Sequence, residues 1–357
     1  MAYIHQISVS NPQSALAQND IAGFMGTAMK LNEENERKLK AVFRLSGIKS
    51  RYSVLSDYAF KDPKDWTFYS KEGLANTGDR MGVYQKEALP LVEKALNPIF
   101  EKHEPSSFTH LITVSCTGMF APGLDIQMVK KWGMRPNIER TSIQFMGCFA
   151  AINALKTANH ICRSNPDANV LIVCIELCTL HFQSEFNEDN LLANTLFGDG
   201  AACVVVNNES INSFYSIDGF ESVIDDNSEE EMAWNIGNTG FEMKLTSYVP
   251  NIIQEKIRKL TDLLMIRFEK QLSDIKHFAI HPGGKRILEA VEKGLGLSKE
   301  QNKAAYEVLG KYGNMSSPTV LFVLNKLQAE VKKGDQVLSF AFGPGLTMES
   351  MLLKGNA

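Results

Sequence analysis

Cys148 follows Gly147 and opens FAAINALKTANHIC, an apolar run whose pattern is helical. A thiol at a helix start meets unpaired backbone N–H groups and the positive end of the helix dipole, both of which favour the thiolate. His281 leaves the apolar strand HFAI into Pro282, Gly283 and Gly284. An imidazole beside a cysteine can hold a thiolate–imidazolium pair and later carry the proton. Asn314, in the sequence Tyr312-Gly313-Asn314, is neither acid nor base near neutral pH, but its amide N–H can donate to a developing oxyanion. Together these three side chains supply a nucleophile, a proton carrier and an oxyanion donor, the set needed for acyl transfer through a thioester. Each alone has a plainer explanation: a small core cysteine, a structural histidine, an asparagine capping a helix.

The elements around them give a reason for the three to meet. Short apolar strands (HLITV at 110–114, NVLIVCIEL at 169–177, AACVVV at 201–206) alternate with longer helical patterns. That alternation predicts an α/β architecture with strands buried on both faces. The order of motifs then repeats. A strand ends at Ser115-Cys116-Thr117-Gly118, and 32 residues after Cys116 comes Gly147-Cys148. A second strand ends at His281-Pro282-Gly283-Gly284, and 33 residues after His281 comes Gly313-Asn314, opening MSSPTVLFVLNKL. Each half closes with a glycine turn and a strand, LFGDGAACVVV at 196–206 and AFGPGLTMESMLL at 341–353. The halves are 1–207, with the cysteine, and 208–357, with the histidine and asparagine. The acidic stretch from 207 to 231 reads as a surface crossing between them. Duplicated units related by a pseudo-twofold axis bring equivalent strand ends and helix starts to a common centre.

Composition excludes several other classes. The chain has 357 residues, 44% hydrophobic and 22% charged, with a net charge of -4 and mean hydropathy -0.15. That field gives no pull toward nucleic acid or an acidic membrane. No apolar run approaches the roughly 18 residues of a membrane span. The start, MAYIHQISVSNPQSA, lacks the basic and apolar regions of a secretory signal. None of the six cysteines forms a CxxC, and the seven histidines include no HExxH, so neither a disulfide framework nor a metal centre is expected. The expected compartment is the cytoplasm, with reduced thiols.

Five segments in order, FMGCFAA (145–151), LFGDGAA (196–202), AIHPGG (279–284), YGNMSS (312–317) and FGPGLTMES (342–350), resemble the type III polyketide synthases. These are the chalcone synthase-like group of the thiolase superfamily, and the likeness runs from about Ser46 to Leu353. The resemblance implies a homodimer with the five-layered αβαβα thiolase fold. It implies an acyl-CoA starter loaded on Cys148, decarboxylative condensation with malonyl-CoA, and cyclisation in the same cavity, with CoA thioesters as substrates and no separate cofactor. His281 and Asn314 would stabilise the thioester enolate formed as malonyl loses CO2. Phe197 and Phe241 would match the family's gatekeeper aromatics, Phe241 after a one-residue shift. Ser316 and Pro344 would line the site.

The chain also departs from the plant members. Lys38 fits their CoA-binding basic pattern, but Ala41 and Leu45 replace two further basic positions. Arg44, Lys49, Arg51, Lys285 and Arg286 are the alternative cations for the CoA phosphates. Cys116, Cys178 and His181 stand where plants have pocket threonines, Met232 where they have a cavity glycine, and Ala121 where they lend a methionine across the dimer. These changes disfavour a hydroxylated aromatic starter and resemble bacterial members that make alkylpyrones, alkylresorcinols and small phenols. The reading favoured is a fatty acyl-CoA starter giving an alkylresorcinol or alkylpyrone. The alternatives are a small-phenol synthase and, further off, a ketoacyl-ACP synthase III. A cysteine hydrolase would leave the repeat unexplained, and a non-catalytic thiolase-like subunit would be expected to lose one of the three residues.

Overall fold

A strand that is apolar on both sides must be covered on both sides. In the strand Asn169–Leu177, Val170, Ile172 and Cys174 enter one core while Leu171, Val173, Ile175 and Leu177 enter another. The computed structural model describes residues 1–69 and 75–356. The adjacent strand Asp199–Asn207 divides in the same way, Ala202, Val204 and Val206 facing the first core and Ala201, Cys203 and Val205 the second. The period of two characteristic of extended backbone thus feeds two separate hydrophobic layers.

Nine strands form the main sheet. Its first half runs, from the outer edge inward, Glu139–Gln144, His110–Ser115, Asn169–Leu177, Asp199–Asn207 and Tyr3–Ser10. The second half continues with Tyr215–Ile224, Thr347–Gly355, Gln336–Gly343 and Ile275–Ile280. Only two registered pairs, Tyr3 with Ser216 and Ile4 with Tyr215, join the halves. Within each half the pattern is the same. His110–Ser115 runs parallel to Asn169–Leu177, which is antiparallel to Asp199–Asn207. Ile275–Ile280 runs parallel to Gln336–Gly343, which is antiparallel to Thr347–Gly355. The strands ending at Cys116 and at His281 are therefore equivalent.

Helices Ala150–Ser164 and Pro318–Leu327 touch strands of both halves and form the middle layer. The helix Thr77–Phe100 covers the outer face of the first half, and Val249–Arg267 covers that of the second. Helix, sheet, helix, sheet, helix is the five-layered αβαβα arrangement of the thiolase-like fold. Among the described residues no helix is long and apolar enough to cross a membrane.

The structure differs from the sequence reading at three places. The acidic stretch is not merely a surface crossing, because Tyr215–Ile224 lies inside the sheet with Tyr215, Ile217 and Phe220 buried. The charges that dominate its composition are concentrated after it, at 225–231. Cys148 sits in a tight 3-10 turn, Gly147–Phe149, and the α-helix begins only at Ala150. Asn314 does not open a helix either: the helix starts at Pro318, and Asn314 instead bridges to Phe197 in parallel fashion.

Candidate active site

The bridge between Phe197 and Asn314 exists because two glycines remove the side chains that would block it. A Cβ on Gly198 would lie 2.8 Å from the Tyr312 carbonyl oxygen, and one on Gly313 would lie 2.7 Å from that of Leu196. Gly313 also has φ +68°, a region that favours glycine. With both side chains absent, Asn314 N–H donates to Leu196 O and Gly198 N–H donates to Asn314 O, each at 2.9 Å. The glycines of LFGDG and YGN are thus reciprocal parts of one contact. Gly147, at φ +79°, meets Pro344 in the same manner, since a Cβ there would lie 2.2 Å from Pro344 Cδ. That contact fixes the turn carrying Cys148 against the glycine-rich turn of the second half.

These contacts converge on a cavity of about 350 Å³ lined by Cys148, His281 and Asn314. Cys148 Sγ is 3.9 Å from both the Oδ1 and the Nδ2 of Asn314. The amide is held by Ser316 N–H, which donates to Oδ1 at 2.8 Å, while Nδ2 donates to Gly283 O at 3.3 Å. His281 is buried, and neither ring nitrogen has a protein partner. A neutral imidazole with both nitrogens unengaged offers one N–H and one lone pair to whatever enters the cavity. Burial drives its pKa down to about 3. Burial likewise pushes the Cys148 thiol up to about 11, against the opposing hydrogen bonds of Ser316 and Asn314. Desolvation therefore works against the helix end, favouring a neutral thiol and a neutral imidazole over the thiolate expected from the sequence.

Of the expected lining residues, Phe197, Cys116, Cys178, Ser316 and Pro344 border this cavity. Cys116 accepts Gly147 N–H at 3.0 Å, tying the strand end to the turn before Cys148. Its thiol is pushed well up by burial. His181 and Phe241 lie elsewhere. They border a smaller neighbouring cavity of about 30 Å³ and stack on each other at 4.1 Å between centroids, 9° from parallel. Both His181 nitrogens are used within the fold: Nδ1 accepts Phe241 N–H at 2.9 Å, and Nε2 donates to Thr117 O at 2.7 Å. Its pKa is lowered to about 3, chiefly by burial. His181 therefore braces the wall from behind, outside the lining of the main cavity.

The wall itself is a hairpin, Met232–Gly237 with Gly240–Leu245. Its cross-strand pairs Met232–Leu245 and Trp234–Met243 face the main cavity. Met243, two residues beyond Phe241, occupies the lining position the sequence reading gave to the phenylalanine. Trp234 was overlooked, although the alternation of Met232 with Trp234 and of Phe241, Met243 and Leu245 is a strand signal. Its indole N–H donates to Cys116 O at 3.0 Å. Glu176 was also overlooked, despite being the one acid in an apolar strand. It accepts from Cys116 N, Thr117 Oγ1 and Ser317 Oγ at 2.9, 2.7 and 2.8 Å, and burial raises its pKa to about 7.

The cavity opens where Leu45, 67% exposed, and the exposed Arg286 border it. Lys285 is there too, packed beside Gly47. Lys38, Arg44 and Lys49 are exposed and outside the lining, and Lys38 pairs with Glu34 at 2.8 Å. Arg51 is buried, which removes it from any contact with CoA phosphates. Among the described residues no group of three or more His, Cys, Asp or Glu is placed to hold a metal ion.

A thiolase-like fold with a thiol, an imidazole and an amide around an apolar cavity defines the class of carbon–carbon condensing acyltransferases. Within it, the chain belongs to the chalcone and stilbene synthase family, whose N-terminal domain matches residues 1–210 and whose C-terminal domain matches residues 221–357. It is 31% identical to the alpha-pyrone synthesis polyketide synthase-like Pks18 of Mycobacterium tuberculosis, over 99% of this chain and 91% of that protein. PKS-I of the brown alga Ectocarpus siliculosus superposes with a TM-score of 0.92 at 29% identity, covering 99% of this chain and 98% of that one. The C-terminal type III polyketide synthase domain of Steely1, a type I/III hybrid from Dictyostelium, gives a TM-score of 0.92 at 27% identity, covering 100% and 99%. The protein is a type III polyketide synthase, an enzyme of iterative decarboxylative condensation on CoA thioesters.

The protonation states carry a direct consequence. Only the thiolate is alkylated, so inactivation of Cys148 by iodoacetamide should accelerate about tenfold per pH unit from pH 7 to 10. A rate that is flat across neutral pH would mean a standing thiolate–imidazolium pair and would overturn the neutral assignment.

Proposed function

We propose that the enzyme loads a fatty acyl-CoA starter on Cys148, extends it with malonyl-CoA and releases an alkylpyrone by lactone closure. The observation that carries this reading is the lining of the cavity. Phe197, Met232, Trp234, Met243, Leu245 and Val249 surround the three polar residues with apolar surface. Its volume, about 350 Å³, is at the lower end of the roughly 300–1,000 Å³ of ligand pockets. That favours a starter of medium length over a very long one. The likeness to a protein described as an alpha-pyrone synthase supports the mode of release.

The chemistry follows from the side chains. As Cys148 sulfur attacks the starter carbonyl, its proton passes to His281 and on to the departing CoA thiolate, leaving an acyl thioester on the enzyme. Malonyl-CoA then loses CO2, and the electron pair of the broken C–C bond becomes a thioester enolate. An N–H of His281 and Nδ2–H of Asn314 donate to its oxygen, and a low-dielectric site strengthens both bonds. A neutral imidazole suits this step because it retains a donor without a charge to desolvate. The enolate carbon attacks the acyl group, expels the Cys148 thiolate and leaves a β-ketoacyl-CoA. That thiolate takes the lengthened chain back, releasing CoA thiolate for protonation. After the last condensation an enol oxygen attacks the terminal thioester carbonyl, closing the ring and expelling CoA.

Arg286 and Lys285 at the mouth, with Arg44 and Lys49 on the neighbouring segment, supply cations for the CoA phosphates. The enzyme works as a homodimer through the outer strand Glu139–Gln144. That strand is largely exposed and has one unpaired edge, and the exposed Met119 and Met146 lie just beyond the ends of the two outermost strands. The free state of all six cysteines fits a reducing cytoplasm.

Incubation with octanoyl-CoA or lauroyl-CoA and radiolabelled malonyl-CoA should yield a labelled alkylpyrone. Absence of CO2 release and of labelled product with every starter would sink the reading. A carbon-closed, further decarboxylated ring would assign an alkylresorcinol, and label incorporated only without starter would assign a small phenol. Cys148→Ser should abolish the acyl-enzyme seen by mass spectrometry. Trp234, with Phe197, Cys178 and Met243, separates the main cavity from the smaller one that reaches Leu16, Ile21 and Met25. Trp234→Ala should join the two and raise kcat/KM for a starter two carbons longer, relative to the wild-type preference, by about tenfold. An unchanged preference would show that the acyl chain runs elsewhere. Light scattering at micromolar concentration should give twice the 39.7 kDa chain mass, and a monomer would refute the dimer.

A further inference from the structure

The carbonyls at the end of the helix Glu188–Leu196 have no further helical turn to bond them. Every carbonyl from Asn194 to Phe197 nevertheless has a partner. Arg51 Nη1 donates to Asn194 O at 2.9 Å and to Phe197 O at 2.5 Å. Gln18 Nε2 donates to Thr195 O at 2.9 Å. Asn314 N–H donates to Leu196 O at 2.9 Å. Arg51 and Gln18 are themselves joined, Nε to Oε1 at 2.9 Å, and the guanidinium lies 5.6 Å over the Phe43 ring. The guanidinium is wholly inside the protein, and no carboxylate touches it among its hydrogen-bond partners; Tyr58 and Asp199 act on it only through space.

We propose that Arg51, seated by Gln18, is a positioning residue that sets the place of Asn314 and Phe197 by capping this helix end. Three observations connect the cap to the chemistry. The Leu196 carbonyl lies between two capped carbonyls and is the one that receives Asn314 N–H. Gly313 packs directly on the arginine stem, where a Cβ would fall 2.8 Å from Arg51 Cγ. Arg51 is absent from the lining of the main cavity and borders only the smaller neighbouring one, so its link to Asn314 runs through this backbone. A fixed cation at a helix C-terminus is also favoured by the dipole, and burial lowers its pKa only to about 10, leaving it charged at neutral pH. A shorter neutral side chain there, which cannot reach both acceptors of Nη1, would free carbonyls and let the 194–198 segment shift. A donor displaced by about 1 Å costs a positioned reaction up to about a hundredfold.

The inference rests on the assignment of Asn314 to enolate stabilisation, and the experiment separates the two. Malonyl-CoA decarboxylation without starter reads the Asn314 step, whereas iodoacetamide alkylation of Cys148 reads the thiol alone. If the wild-type enzyme does not decarboxylate malonyl-CoA, the assignment of Asn314 fails and the role proposed for Arg51 is overturned with it. If it does, Arg51→Gln should lower kcat for decarboxylation by about thirtyfold, with the alkylation rate within twofold of wild type. Arg51→Lys, which keeps a cation and donors for the two carbonyls, should restore most of that loss. Should Arg51→Gln fail to fold, Gln18→Glu decides. It retains the acceptor for Arg51 Nε and loses the donor to Thr195, and a several-fold fall in decarboxylation with unaltered alkylation is expected. Decarboxylation unchanged in the folded variants, or falling in step with alkylation, would overturn the proposal.

Discussion

The close approach of the segment Leu196–Gly198 to Gly313–Asn314 is the constraint on which the rest of the site depends. Two backbones from opposite halves can bridge there only because neither carries a side chain at the crossing. The bridge supplies Asn314 with its place and Phe197 with its orientation in one step. Gly147 against Pro344 does the same for Cys148. Both contacts are short-range packing conditions, and in an interior as dense as an organic crystal they leave no room for compromise. The motifs that look like catalytic signatures are therefore, in large part, conditions for the two halves of the sheet to meet at their strand ends.

Electrostatics of the site follow from the same closeness. Drawing three polar groups into an apolar cavity removes the water that would stabilise charge, so the thiol is pushed up and the imidazole down. In the mechanism we propose, charge is generated only during the reaction, first on sulfur and imidazole and then on the enolate oxygen. Fixed N–H donors are worth most under those conditions, because they need not reorganise when the charge appears. Behind the cavity the buried polar groups are tied into networks. Glu176 joins the SCTG strand end to Ser317, and Asp199 accepts from Val54 N, Thr179 N and Thr179 Oγ1. These carboxylates hold loop backbones that have no ladder of their own.

The sequence by itself determined the α/β class, the repeat and the family. Those properties are written in periodicities and in the order of glycine-bearing motifs, which survive without knowledge of long-range contacts. The doubly buried strands were legible because alternation was replaced by continuous apolar runs. The meeting of Cys148, His281 and Asn314 at one cavity was legible because a duplicated unit makes equivalent strand ends converge. The strand Tyr215–Ile224 was hidden by the acidic run that follows it, since composition averages over a window while a strand depends on individual alternate positions.

Only the tertiary structure decided which side chains reach the cavity. Phe241 and Met243 lie on the same face of one strand, yet Phe241 stacks on His181 and only Met243 lines the main cavity. His181 and Arg51 are polar residues that a linear reading offers to substrate or CoA, yet both are tied to backbone groups contributed from segments far away in the chain. The surroundings of Cys148 show the same division. A turn into a helix can be read from neighbouring residues, but the desolvation that opposes a thiolate there is the sum of everything packed around the sulfur. Local pattern determines what an element is; the neighbours brought by folding decide what each side chain on it can do.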